Sequence, residues 1–227
     1  MIVNTSAVVL KSFPYGETSI ITRCYTRDHG KVSLIVKGAR RKKSPMAAYS
    51  QSMNYLDIVY YYRQTRSLQS LSKASFVEIW SGLNQELKKI AHGLAVIELT
   101  EKTNTENDPH PELFDELVAV LKAFNSSELR LNLIFWYYQI KLLTILGFKP
   151  DFYHLDHGNI KLPNPFAGPN SQNILEDLSN NTIDSISNIT ATSKDRNAIS
   201  KYLTAFFNYH FEGMDSLKSF SVLRQII

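Results

Sequence analysis

The chain has 227 residues, 44% of them hydrophobic and 20% charged, an ordinary globular balance with enough length for two domains and a sizeable core. A single cysteine, Cys24, excludes an intramolecular disulfide and any multi-cysteine metal site and points to a reducing, intracellular compartment. No run of about 18 apolar residues predicts a membrane span, and no secretory leader is expected from the opening residues. The net charge of +4 is split unevenly, +8 over residues 1–80 and −4 over the rest, which points the first part of the chain at a polyanion.

In chain order, five strands are predicted first. Residues 6–13 carry the apolar run Ala7-Val8-Val9-Leu10. Residues 18–26 are rich in β-branched side chains, and residues 30–37 alternate, with Val32, Leu34 and Val36 on one face. Residues 55–62 are aromatic and β-branched, and 68–78 is a fifth, less regular candidate. Turn signals at Pro14-Tyr15-Gly16, Asp28-His29-Gly30, Gly38 and Ser44-Pro45 separate them. Five short strands in about 80 residues predict a small closed barrel, since closure removes exposed sheet edges.

After Trp80-Ser81-Gly82 the spacing becomes helical. Leu87, Ile90, Leu94 and Ile97 mark a first helix with Asn84 as its N-cap. Asp108-Pro109 is read as a cap with proline at the first position of a second helix, carrying Leu113, Leu117, Leu121 and Phe124. The chain restarts at Ser126-Ser127 into a third helix, apolar nearly all round, which predicts a central position; Gly147 and Pro150 end it. Residues 150–193 read as irregular, with a short helix at 174–178. A long helix capped by Ser193 carries Ile199, Leu203, Phe206 and Phe207, Gly213 breaks it, and residues 217–227 form a last short helix.

There is no phosphate loop of the GxxxxGK[ST] type, no GxGxxG and no GxSxG. Cys24, in a β-branched strand with no histidine near it in sequence, reads as a buried structural thiol. Asp151, His154, Asp156 and His157 are the best metal candidates, but structural zinc needs a second ligand pair and none follows, so no metal is expected. The densest signal is residues 37–43, where Lys37, Arg40, Arg41, Lys42 and Lys43 share one loop and Gly38 lets the backbone turn. Such a patch neutralises phosphates and releases counterions, without reading sequence. The other barrel cations Lys11, Arg23 and Lys31 are candidates for the same surface. Tyr55, Tyr60, Tyr61 and Tyr62 offer faces for base stacking, although about half of them should point into the barrel.

Several pieces, in order and spacing, carry a resemblance. They are Ala7-Val8-Val9-Leu10-Lys11, Tyr15-Gly16-Glu17-Thr18-Ser19, Thr26-Arg27-Asp28-His29-Gly30-Lys31 and Val36-Lys37-Gly38-Ala39-Arg40-Arg41. Then come Tyr138-Gln139-Ile140-Lys141-Leu142-Leu143, Leu146-Gly147-Phe148-Lys149-Pro150, Tyr209-His210-Phe211-Glu212-Gly213 and Leu217-Lys218-Ser219-Phe220. Over nearly its whole length the chain resembles the bacterial RecO recombination-repair proteins. The resemblance implies an α+β multidomain chain: a five-stranded OB-fold barrel over residues 1–81, then a mainly α-helical domain over 82–227 with an irregular insert at about 150–193. It implies a non-enzymatic, cofactor-free, cytoplasmic and nucleoid-associated protein. Such a protein binds single- and double-stranded DNA, anneals complementary strands, and helps RecA onto DNA coated by single-strand-binding protein, together with RecR. Many members carry four cysteines as a zinc site after the Gly-Phe-x-Pro element; here that region has none. The acidic, phenylalanine-ended tail of single-strand-binding protein needs an apolar pocket and a cation, for which Arg130, Gln139 and Lys141 are the candidates. Two other readings remain: a barrel that binds protein instead of nucleic acid, and a metal-dependent nuclease using Asp151, Asp156, His154 and His157.

Overall fold

The computed structural model describes residues 1–126, 130–158 and 160–226, with side chains up to Leu223. Five strands, β1 (Ile2–Tyr15), β2 (Ser19–Thr26), β3 (Gly30–Val36), β4 (Tyr55–Tyr61) and β5 (Leu68–Glu78), close a barrel in the order β1-β2-β3-β5-β4. All pairings are antiparallel except the short β3–β5 contact, where Ser33 to Ile35 meet Leu68 to Ser70. This is the OB-fold barrel, with the helix α1 (Met46–Tyr49) between β3 and β4. β1 runs longer than the predicted 6–13 because its first half pairs with β4 and its second half with β2.

Alternation explains the interior. Val3, Ala7, Val9, Cys24, Val32, Leu34, Leu56, Ile58 and Tyr60 point inward and form the barrel core. Burial pushes the Cys24 thiol up to about 12, which keeps it protonated and inert. Val8 and Leu10 point outward but are equally buried, because with Tyr25 and Met53 they join the helical core. The unbroken run Ala7-Val8-Val9-Leu10 is therefore apolar because both of its faces are covered.

The helical part contains α2 (Leu87–Thr103), α3 (Pro111–Ser126), α4 (Leu131–Ile145), α5 (Ser171–Asn180), α6 (Ser193–His210) and α7 (Lys218–Ile226). Every residue of α4 from Leu133 to Ile140 is buried, as its all-round apolar character predicts. Asn84 is not the cap of α2: it sits in a 3₁₀ turn, Gly82–Asn84, and its amide donates to the Trp80 carbonyl. Proline at the start of α3 is Pro111, not Pro109. The α6 cap is Thr192, one residue before Ser193, in a reciprocal box with Asp195. Ser127 and Ile227, used in reading the third and last helices, lie outside the described residues.

The insert is packed more firmly than its composition suggests. Leu162, Ile183, Ile186 and Ala191 all enter the main core. The buried Asp195 carboxylate accepts from Thr192 N (2.8 Å), Asn170 N (2.8 Å) and Ser171 Oγ (2.9 Å), tying the start of α5 to the start of α6. Burial alone would raise its pKa, but these donors together hold it below the usual carboxylate range. Among the described residues, no helix is long and apolar enough to cross a membrane.

Candidate nucleic-acid interface

The strand registers align one row of side chains across the outside of the barrel. Phe13 of β1 pairs with Ile21, Ile21 with Ile35, Ile35 with Ser70, and Ser70 with Tyr61. Next to them in their strands, Thr22, Leu34, Gln69 and Tyr60 point inward and are buried, so the row itself faces out. Phe13 and Tyr61, at the two ends of this row, are 40% and 51% exposed. Tyr60 and Tyr61 thus divide as alternation requires, one in the core and one on the surface.

Cations border this row. A groove of about 710 Å³ at one end of it is lined by Ile35, Tyr61, Lys37, Arg63 and Arg66. The β4–β5 loop that carries the two arginines is held from below by buried Gln69. Its side-chain oxygen accepts from Arg63 N (2.8 Å), and its amide donates to the carbonyls of Arg63 and Arg66. At the other side lie the exposed β1–β2 hairpin tip with Tyr15 and the basic loop. Gly38, at φ +69°, turns that loop so that Arg41 N donates to the Gly38 carbonyl. Arg40 fastens it to the hairpin: its backbone N–H donates to Thr18 O and its guanidinium to Gly16 O, both at 2.9 Å. Arg41, Lys42 and Lys43 are exposed. Among the described residues, none of Lys37, Arg41, Lys42, Lys43, Arg63 and Arg66 is in ion-pair distance of a carboxylate. Free cations beside exposed aromatics are what a stacking platform for single strands requires.

Three of the predicted cations are elsewhere. Lys11 and Arg23 both reach Glu101 Oε1 of α2, at 2.9 and 2.8 Å. Lys31 is only 8% exposed, and its ammonium donates to the carbonyls of Glu101 (2.9 Å) and Asn104 (2.6 Å). These are among the last carbonyls of α2, which have no partner inside the helix, so Lys31 is its C-terminal cap. Burial of Glu101 alone would raise its pKa, but Lys11, Arg23 and Lys31 together carry it below the usual range. The three cations lock barrel to helices, and Lys31 is removed from the phosphate-binding set because a buried, twice-bonded ammonium offers nothing to a ligand. Arg27 adds a bidentate pair with Asp115, both bonds at 2.9 Å.

Arg130, Gln139 and Lys141 do not converge. The Arg130 guanidinium donates to Thr190 Oγ1 at 2.9 Å. Lys141 sits 5.2 Å over the ring of Tyr137, whereas Gln139, two residues back on α4, lines a cavity with Arg196 of α6. Two residues apart on a helix is roughly 200° of rotation, so these side chains leave opposite faces. Arg196, Arg63, Arg66 and Phe13 were missed by the sequence reading. Arg63 and Arg66 had a signal, two bases in a short connection between predicted strands, but they lie outside the charge-dense loop.

A family model described as Recombination protein O N terminal matches residues 1–80, and another, Recombination protein O C terminal, matches residues 84–161. The chain belongs to the RecO family. It is 41% identical over 149 residues to the DNA repair protein RecO of Salinibacter ruber, a match covering 66% of this chain and 57% of that protein. With the DNA repair protein RecO of Chloroherpeton thalassium it aligns over the whole of both chains at 26% identity. With that of Alkaliphilus metalliredigens it is 31% identical over 66% of this chain and 60% of the relative. The zinc site the RecO resemblance raises does not fit the residues present. Among the described residues, no three His, Cys, Asp or Glu side chains are placed to share a metal ion. The His157 ring instead packs against His154, Tyr209 and Phe206, as part of the aromatic contact between the insert and α6.

Proposed function

We propose that the chain is a DNA repair and recombination mediator that binds DNA on the outer face of its barrel. The observation that carries this reading is the row from Phe13 to Tyr61, bordered by unpaired cations in the β4–β5 loop and the basic loop. Bases of a single strand stack on Tyr61 and Phe13, while Lys37, Arg63 and Arg66 neutralise its phosphates. Arg41, Lys42 and Lys43 add a second, sequence-independent phosphate patch that also suits duplex DNA. Two patches on one barrel support annealing of complementary strands and, with RecR, assistance to RecA on coated single strands.

The tail of single-strand-binding protein is assigned to the cavity of about 460 Å³ between α4, α6 and α7. Phe135, Trp136, Phe220 and Leu223 supply its apolar wall and Arg196 the cation. Arg196 donates to Ala191 O and Ser193 Oγ, and among the described residues it has no carboxylate partner. Arg196→Glu should therefore abolish binding of a tail peptide while leaving affinity for a bare oligonucleotide unchanged. Equal loss of both would refute the division of labour between barrel and helices.

A further inference from the structure

The same cavity has a second polar group that the tail assignment does not use. α2 brings His92 to its wall, 2% exposed, with Phe124 and Phe135 against the ring. His92 Nδ1 lies 2.7 Å from the Lys88 carbonyl oxygen, one turn earlier. A carbonyl can only accept, so Nδ1 carries the hydrogen, and in the neutral ring Nε2 is a bare lone pair. That Nε2 is buried and has no hydrogen-bond partner among the described residues. A buried acceptor left without a donor is a standing cost to the free protein and a ready contact for a ligand.

Two kinds of ligand satisfy such a nitrogen. One donates an N–H or O–H to the neutral ring. The other presents a carboxylate, which repels the lone pair unless the ring first takes a proton and becomes the donor. Arg196 of α6, which lines the same cavity, decides between them, because it makes the cavity attractive to anions. Among the described residues, the other charged neighbour of the ring is Lys88, on α2 itself. From α4 the lining residues are Asn132, Phe135, Trp136 and Gln139, from α3 the ring faces Phe124, and α7 presents Phe220 and Leu223, none of them acidic.

We propose that this cavity grips a carboxylate between Arg196 and a protonated His92, so that an acidic peptide enters together with one proton. In the free protein, burial keeps the imidazole pKa below its ordinary value, against the opposing pull of the hydrogen bond to the Lys88 carbonyl. A bound carboxylate reverses this and raises it. Between those two values the affinity for an acidic peptide increases as pH falls, by up to about tenfold per pH unit. His92 is then a specificity residue: it favours carboxylate ligands over neutral apolar ones and couples their capture to pH.

The inference rests on the assignment of this cavity to the acidic tail, and calorimetry on the full chain separates the two. The probe is an N-acetylated acidic peptide ending in phenylalanine, titrated from pH 6 to 8 in two buffers of different ionisation heat. Its own carboxylates titrate near pH 4, outside the window. The wild-type protein should take up a measurable fraction of a proton, up to one, per peptide bound, and bind more tightly at pH 6 than at pH 8. His92→Gln should still bind, without proton uptake and with a flat pH profile. Peptide binding by the wild-type protein that is flat or stronger at high pH, with no proton uptake, overturns the proton coupling and leaves the tail assignment standing. A peptide that does not bind at any pH overturns both.

Discussion

At the scale of single residues, the barrel cations separate into two groups with opposite expected phenotypes. Lys31→Met removes the cap of α2 and leaves two buried carbonyls without a donor, so it should destabilise the fold by roughly 2–3 kcal/mol in urea unfolding. The folded fraction should bind DNA as wild type does. The triple change of Arg41, Lys42 and Lys43 to alanine should do the reverse. Thermal stability moves little, because exposed charges contribute little to folding. The log–log slope of DNA affinity against salt falls by about one unit for each phosphate contact removed. Sequence counting assigns all these cations to one patch, because charge is additive along a chain while direction is not. Only packing shows that Lys11, Arg23 and Lys31 turn toward Glu101. His92 adds a pH dependence. Its folded pKa is depressed, so the unfolded chain binds more protons, and its contribution is full above the unfolded value of about 6.5 and falls as pH drops below it. The melting temperature should decline between pH 7.5 and 5.5, less steeply in a folded His92→Gln variant.

At the scale of elements, Asp195 is the junction to test. Its carboxylate serves the α6 cap and the start of α5 at once, so Asp195→Asn should lower stability by about 1–2 kcal/mol and loosen residues 170–192 in hydrogen exchange. The stabilisation carried by the charged Asp195 is present above the unfolded carboxylate pKa and lost as pH falls through the lower folded value, so the two proteins should converge at low pH. The five strands were legible, the fifth despite its irregular pattern, and α4 was legible as the central helix from its all-round apolar surface. Their ends were less so, because Asn84 and Ser193 are good caps by type and the fold places the true starts at Leu87 and at Ser193 behind Thr192. The insert reads as loop by composition, yet Leu162, Ile183 and Ile186 are spaced without a period and still reach the core. The β4–β5 loop illustrates the same limit for function. Nothing local marks Arg63 and Arg66 as facing Tyr61; β-barrel closure and Gln69 put them there.

At the scale of the whole molecule, barrel and helices share one continuous core through Val8, Leu10, Tyr25 and Met53, closed at its edges by the Glu101 cluster and the Arg27–Asp115 pair. Gly93 makes the approach close: a Cβ there would lie 2.6 Å from Met53 Sδ. The two parts should therefore unfold in one transition, with tryptophan fluorescence and far-ultraviolet circular dichroism coincident. Glu101→Gln should lower that single midpoint without splitting it. The same join sets the outer barrel row beside the Lys11–Arg23 contact to α2, with Phe13 and Tyr61 still exposed. The most direct test of that site is fluorescence anisotropy of a labelled single-stranded oligonucleotide against the folded variant Tyr61→Ala/Arg63→Ala/Arg66→Ala, over a range of salt. Affinity should fall at least tenfold and the salt slope should drop by one to two units, while the melting temperature and tail-peptide binding hold. Wild-type affinity and slope in this variant would contradict the assignment of DNA to the Phe13–Tyr61 face.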